Sequence, residues 1–129
     1  MDRLFLDANI LFSAAYEANA RLQKLWRLKD VVLCSSHYAV EEAKANLEHQ
    51  AQKSRLVRLV RKVEMFDAAP RELIGEVRLP EKDVPILLGA IEARATHLIS
   101  GDLRHFGLYF GKKIEGILIV TLSGYLKRR

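Results

Sequence analysis

Leu4-Phe5-Leu6 is a short apolar run bounded by Arg3 and Asp7. Three apolar residues without polar alternation read as a strand covered on both faces, the pattern of a parallel sheet packed between helices. Comparable runs recur at Val31-Val32-Leu33-Cys34, His97-Leu98-Ile99-Ser100 and Gly116-Ile117-Leu118-Ile119-Val120, with stretches of helical period between them. Strands alternating with helices predict a parallel α/β sheet with helices on both faces. The length of 129 residues predicts one domain over 1–129, and 50% hydrophobic residues supply a core that needs neither disulfide nor metal to fold.

The spacing predicts helices over residues 10–16, capped by Asn9, and 20–29, with Leu22, Leu25 and Trp26 on one face. Ser36 caps a helix to 49, and another runs over 52–61 with Leu56, Leu59 and Val60 inward. Residues 63–66 either end that helix or form a third strand, and 71–77 is ambiguous, a short helix being one reading. Glu81-Lys82-Asp83-Val84-Pro85 opens a helix to 95, 103–106 is a helical turn, and Thr121 caps a last helix through 126.

The single cysteine, Cys34, lies in an apolar run and reads as a buried structural thiol, which fits a reducing cytoplasm. No stretch approaches the 18 apolar residues of a membrane span, and Met1-Asp2-Arg3 leads straight into a strand, leaving no room for a signal peptide. The net charge of +5 favours polyanionic partners.

Four carboxylates fall at equivalent places. Asp7 ends the first strand, Glu42 lies in the helix after the second, Asp83 begins the helix that feeds the fourth, and Asp102 follows the fourth across Gly101. Ligands of open α/β sheets sit outside the carboxyl ends of the strands, at the point where the chain reverses its direction of winding. Strands one and four flank that point. Each acid also has an ordinary reading: Asp7 as a turn residue closing its strand, Asp83 and Asp102 as helix caps, Glu42 as a solvated helix residue; Asn9 and Ser100 read likewise as backbone-bonding residues. Those readings leave convergence unexplained. Two unit charges about 4 Å apart repel by roughly 4 kcal/mol at an effective dielectric of 20, so a gathered set calls for a cation or for protons. All-oxygen ligation points to Mg²⁺ or Mn²⁺.

The segments Leu4-Phe5-Leu6-Asp7-Ala8-Asn9-Ile10-Leu11, Ser36-His37-Tyr38-Ala39-Val40-Glu41-Glu42-Ala43, Lys82-Asp83-Val84-Pro85-Ile86-Leu87 and Leu98-Ile99-Ser100-Gly101-Asp102 resemble, in this order, the four signature regions of PIN domains. The resemblance covers nearly the whole chain. It implies a three-layer α/β/α domain with a five-stranded parallel sheet of order 3-2-1-4-5. It also implies a metal-dependent endoribonuclease that hydrolyses RNA phosphodiester bonds. Asp7, Glu42, Asp83 and Asp102 carry over as catalytic and metal-binding acids, with Asn9 and Ser100 as polar support. Compact members are often VapC-like toxins, so the implied partners are an RNA substrate, an antitoxin protein and a second copy of the chain. The alternative is a catalytically silent scaffold that binds RNA or protein. Some relatives carry a further acid just after the last aspartate. Here Arg104 and His105 stand there, which bears on a second metal.

Two other enzyme classes fail at named positions. A phosphoacceptor receiver, with Asp67 ending strand three, needs an acidic pair after strand one and a lysine after strand five; the chain has Asp7-Ala8 and Val120-Thr121. A HAD-type phosphatase needs a second aspartate where Asn9 stands. Cations on one helical stripe, Arg55, Arg58 and Lys62 with Lys53, and at Arg104 and His105, are the candidate RNA contacts; such groups grip the phosphate backbone without reading sequence.

Overall fold

In the computed structural model, which describes residues 1–73, 75 and 77–129, Leu4, Phe5 and Leu6 are each fully buried. They belong to β1 (Asp2–Leu6), which pairs in parallel with β2 (Val31–Ser35) on one side and β4 (His97–Ile99) on the other. Adjacent strand residues point to opposite faces. Burial of all three therefore requires cover above and below the sheet.

The helices provide it. α1 (Ala8–Tyr16) packs against α2 (His37–Asn46) and α3 (Gln50–Val60). α4 (Val84–Glu92) lies over β2 and β4, and Gly89 lets it approach the Phe5 ring: a Cβ there would stand 2.8 Å from Phe5 Cζ. Caps set the helix starts. Asp7, not Asn9, caps α1, its carboxylate accepting the Ala8 N–H, so the helix begins two residues earlier than expected. Ser36 Oγ accepts the Ala39 N–H at the start of α2, and Thr121 Oγ1 accepts the Gly124 N–H at α6 (Leu122–Lys127). Gln52 Oε1 reaches back to the His49 N–H and starts α3 at Gln50.

The sheet carries six strands in the order β3-β2-β1-β4-β6-β5, and this corrects the five-stranded parallel expectation. β3 (Glu64–Met65) pairs in parallel with β2, which settles 63–66 as a strand. The expected fifth strand is β6 (Ile117–Val120), parallel to β4. The added β5 (Lys113–Ile114) runs antiparallel to β6. Its two-residue turn, Glu115-Gly116, has φ of 48° and 85°, the positive values a tight hairpin needs.

Three further boundaries differ. Residues Arg21–Arg27 form a 3-10 helix in place of the α-helix over 20–29. Trp26 Nε1 donates to the Leu59 carbonyl and fixes that segment on α3. The helix expected over 81–95 splits into a 3-10 turn, Glu81–Asp83, and α4. The helix expected to 49 stops at Asn46. Of the short helix considered over 71–77, Ile74 and Glu76 lie outside the described residues. Among the described residues, no helix is long and apolar enough to cross a membrane.

Because Phe5 is fully buried, its ring has nowhere to move when α4 carries more bulk. Gly89→Val is expected to destabilise the fold by about 2 kcal/mol through overpacking, read as a lower denaturation midpoint. An unchanged midpoint would show that α4 does not rest on β1 as described.

Candidate active site

β1 and β4 end side by side, and the Asp7 N–H extends their ladder by donating to the Ile99 carbonyl. The chain turns into α1 after β1 and into α5 (Leu103–Phe106) after β4, so the two strand ends open one crevice.

At its floor Asp7 is 3% exposed and Ser100 is completely buried. Asp7 Oδ1 accepts the Ala8 N–H at 2.7 Å. Asp7 Oδ2 accepts from Ser100 Oγ at 2.7 Å and from Asn9 Nδ2 at 3.0 Å. Asn9 Oδ1 accepts the Gly101 N–H, and Ser100 Oγ accepts the Asp102 N–H. This network ties the loop after β4 to the start of α1. Burial raises the Asp7 carboxyl from its ordinary 3.8 to about 6, against the lowering effect of its hydrogen bonds, with Asp83 and Glu42 adding repulsion.

The other acids meet His105. Asp102 divides its two oxygens: Oδ1 accepts the Arg104 and His105 N–H groups as the cap of α5, and Oδ2 lies 2.7 Å from His105 Nδ1. Asp83, 4% exposed, makes no cap bond to α4; its Oδ2 lies 2.7 Å from the same His105 Nδ1. Neither contact is aligned as a hydrogen bond, and Asp83 Oδ2 and His105 Nδ1 are buried without a hydrogen-bond partner. Burial pushes the Asp83 carboxyl up, with His105 opposing and Asp102 reinforcing.

Asp83, Asp102 and His105 each offer one ligand atom, all within 4.8 Å of one another. Two carboxylate oxygens and an imidazole nitrogen, two of the three without another partner, form a donor set that fits a divalent cation. Glu42 stands across an adjoining cavity of about 350 Å³, lined also by Asp7, Asn9 and Asp83. Its carboxyl is raised by burial, which outweighs the pull of Lys82. Among the described residues, no hydrogen bond or ion pair holds the Glu42 carboxylate.

The cap reading thus holds for Asp102 and fails for Asp83, while Asp7 takes the cap expected of Asn9. His105, expected as an RNA contact, lies instead among the acids, which makes the candidate donor set a mixture of oxygen and nitrogen. The signal was its i,i+3 spacing from Asp102, which places both on one side of a short helix. Arg104 is exposed on α5 beside Asp102. The other candidate contacts are elsewhere. Arg55 Nη1 donates to the Ala15 carbonyl, in the last turn of α1, the opposite end from the Asp7 cap. Lys62 lines a cavity with Val31 and Val32 at the start of β2. Asp67, two residues past β3, binds the His37 N–H and ring.

No family model matches the chain, and no curated protein matches its sequence. Its fold is similar to that of a chain in the crystal structure of VapBC2 from Rickettsia felis bound to a DNA fragment from their promoter. The TM-score is 0.69 at 17% identity, over 92% of this chain and 98% of that one.

The raised Asp7 carboxyl sets a pH dependence. A carboxyl that holds its proton more tightly in the folded than in the unfolded state favours folding in acid. The advantage is complete below about pH 4 and is lost as pH rises through about 6. The gap corresponds to about 3 kcal/mol at most. In chelator, the chain is expected to melt higher at pH 5 than at pH 7, and Asp7→Asn to flatten that difference. A melting temperature that falls between pH 7 and pH 5 would contradict the burial of this charge.

Proposed function

We propose that the chain is a divalent-metal-dependent endoribonuclease that hydrolyses RNA phosphodiester bonds, residues 1–129 acting as one PIN-like unit. The observation that carries this reading is the meeting of Asp83 Oδ2, Asp102 Oδ2 and His105 Nδ1 beside the buried Asp7. Acids gathered in a crevice with one imidazole between two of them and no Lys or Arg ion pair destabilise a fold. Their presence at the edge of the sheet where ligands bind is best explained by a cation.

Asp83, Asp102 and His105 would hold the ion, with Asp7 adding charge from below. Oxygen donors suit Mg²⁺ and Mn²⁺ alike, while an imidazole in the set suits transition metals better than Mg²⁺. A divalent ion held there would supply a coordinated water of lowered pKa and positive charge against the phosphate. The chain's own residues do the rest. Ser100 and Asn9 occupy Asp7 Oδ2, and Ala8 occupies Oδ1, so Asp7 is fixed in position and poorly placed to exchange protons. Glu42 is unencumbered and faces the same cavity. It is the residue to accept the proton of the attacking water. The half-exposed Tyr38, whose hydroxyl donates to the Lys82 carbonyl, steadies the turn that presents Asp83.

The similar fold comes from a VapBC2 complex. With the order of the acidic motifs, this supports placing the chain as the toxin of a toxin–antitoxin pair in the cytoplasm, with an antitoxin polypeptide as its partner. A homodimer is the assembly the same resemblance suggests.

Asp102→Asn separates chemistry from structure, because Asn caps a helix about as well as Asp. The parent is expected to cut RNA with Mn²⁺ or Mg²⁺. It should also gain about 2.7 kcal/mol of stability at a hundred times the dissociation constant of the ion. Asp102→Asn should lose cleavage and most of that gain while folding as well as the parent in chelator. A variant that still cuts RNA would remove the metal-site reading. Metal-induced stabilisation of the parent without RNA cleavage would favour the catalytically silent scaffold.

A further inference from the structure

At the far end of α1 from the acids, a cavity of about 640 Å³ is lined by Arg27, Arg55, Arg58, Arg61 and Lys62 together with Trp26. No acid lines it. Among the described residues none of the five cations forms an ion pair, although Arg3, Arg71 and Arg129 each find a carboxylate elsewhere. Arg55 is spent on the Ala15 carbonyl. Arg27, Arg58, Arg61 and Lys62 are exposed and uncommitted. Like charges gathered without partners repel one another and build a positive potential that attracts polyanions.

Trp26 makes the cavity more than a charged patch. Its Nε1 donates inward to the Leu59 carbonyl, which fixes the indole while leaving it half-buried at the cavity wall. A fixed aromatic among arginines is the combination that grips single-stranded nucleic acid. Cations track the phosphates and the ring stacks a base, with no sequence requirement. An acidic polypeptide would satisfy the charges but make no use of the indole.

We propose that this cavity is a second, non-catalytic contact site for single-stranded RNA. Arg27, Arg58, Arg61 and Lys62 neutralise phosphates and Trp26 stacks a base. The nine residues of α1, about 13 Å at 1.5 Å per residue, separate it from the acidic crevice. It anchors the strand at a distance from the bond that is cut. The choice of RNA rests on the ribonuclease reading above; the cavity and its charge do not.

Trp26 is the only tryptophan, so its emission reports on this cavity and on the smaller one beside it at the start of β2, which Lys62 also lines. The test titrates the full chain, in chelator so that nothing is cut, with a twelve-nucleotide oligouridylate and separately with polyglutamate. RNA is expected to quench Trp26 saturably, with a log–log salt slope near −3 for four phosphate contacts at 0.7 each. The triple variant Arg58→Ala, Arg61→Ala, Lys62→Ala should flatten that slope by about 2 and weaken binding at least tenfold at low salt. Trp26→Phe, followed by anisotropy of labelled RNA, should still bind. RNA that binds without changing Trp26 emission, or equally well to the triple variant, would overturn the proposal. So would the absence of RNA binding, or quenching by polyglutamate at the same concentration. Cleavage is not measured here, so a failed nuclease reading would appear only in the separate assay with metal.

Discussion

The fold buries a carboxylate at the point where its two central strands part, and much of the local structure is arranged to tolerate that charge. Asp7 follows β1, whose last three residues are fully buried, and its oxygens take three hydrogen bonds. Those bonds pull its pKa down, yet burial outweighs them and the carboxyl titrates near 6. A residue serving only as a cap could sit at the surface with an ordinary pKa, as caps commonly do. The buried position raises the cost of the charge and keeps it available to an ion in a low-dielectric crevice, where each interaction counts for more.

Most of this was legible in the sequence because burial on both faces leaves an unbroken apolar run. Leu4-Phe5-Leu6, the apolar runs at 31–34, 97–100 and 117–120, and the cap residues Ser36 and Thr121 placed the strands and most helices. What escaped did so for physical reasons. β5 has two residues, too few to show a period, and its Glu115-Gly116 turn is weaker in signal than Asn-Gly or Asp-Gly. The 3-10 segment at Arg21–Arg27 carries the same apolar spacing as an α-helix, and the hydrogen bond from Trp26 to Leu59 links residues 33 apart. Asp7 displaced Asn9 as the cap because both residue types cap well, and only the backbone decides which does.

The cations illustrate a different limit. Periodicity correctly turned Arg58 and Lys62 away from the core, but a helix period cannot tell which part of the molecule its outer face overlooks. That depends on how α3 packs against α1, through pairs such as Arg55 and Ala15. The consequence is a segregation of charge: acids at one end of α1, unpaired cations at the other. A net charge of +5 conceals this polarity. The same surface can repel a polyanion at the crevice and attract it one helix length away.

The crevice itself combines a rigid side and an adjustable one. Asp7, Asn9 and Ser100 sit on strand ends or in the first turn of α1 and are cross-bonded, so their positions follow the sheet. Asp83 and His105 sit on a three-residue 3-10 turn and a four-residue helix, and their facing atoms have no hydrogen-bond partner. His105 Nδ1 is 2.7 Å from each of the two carboxylate oxygens. Asp102 joins the two sides: one oxygen is held by the backbone of α5, while its own N–H is held by Ser100. Displacement of α5 thus reaches the rigid network through Asp102, which couples the two sides of the crevice.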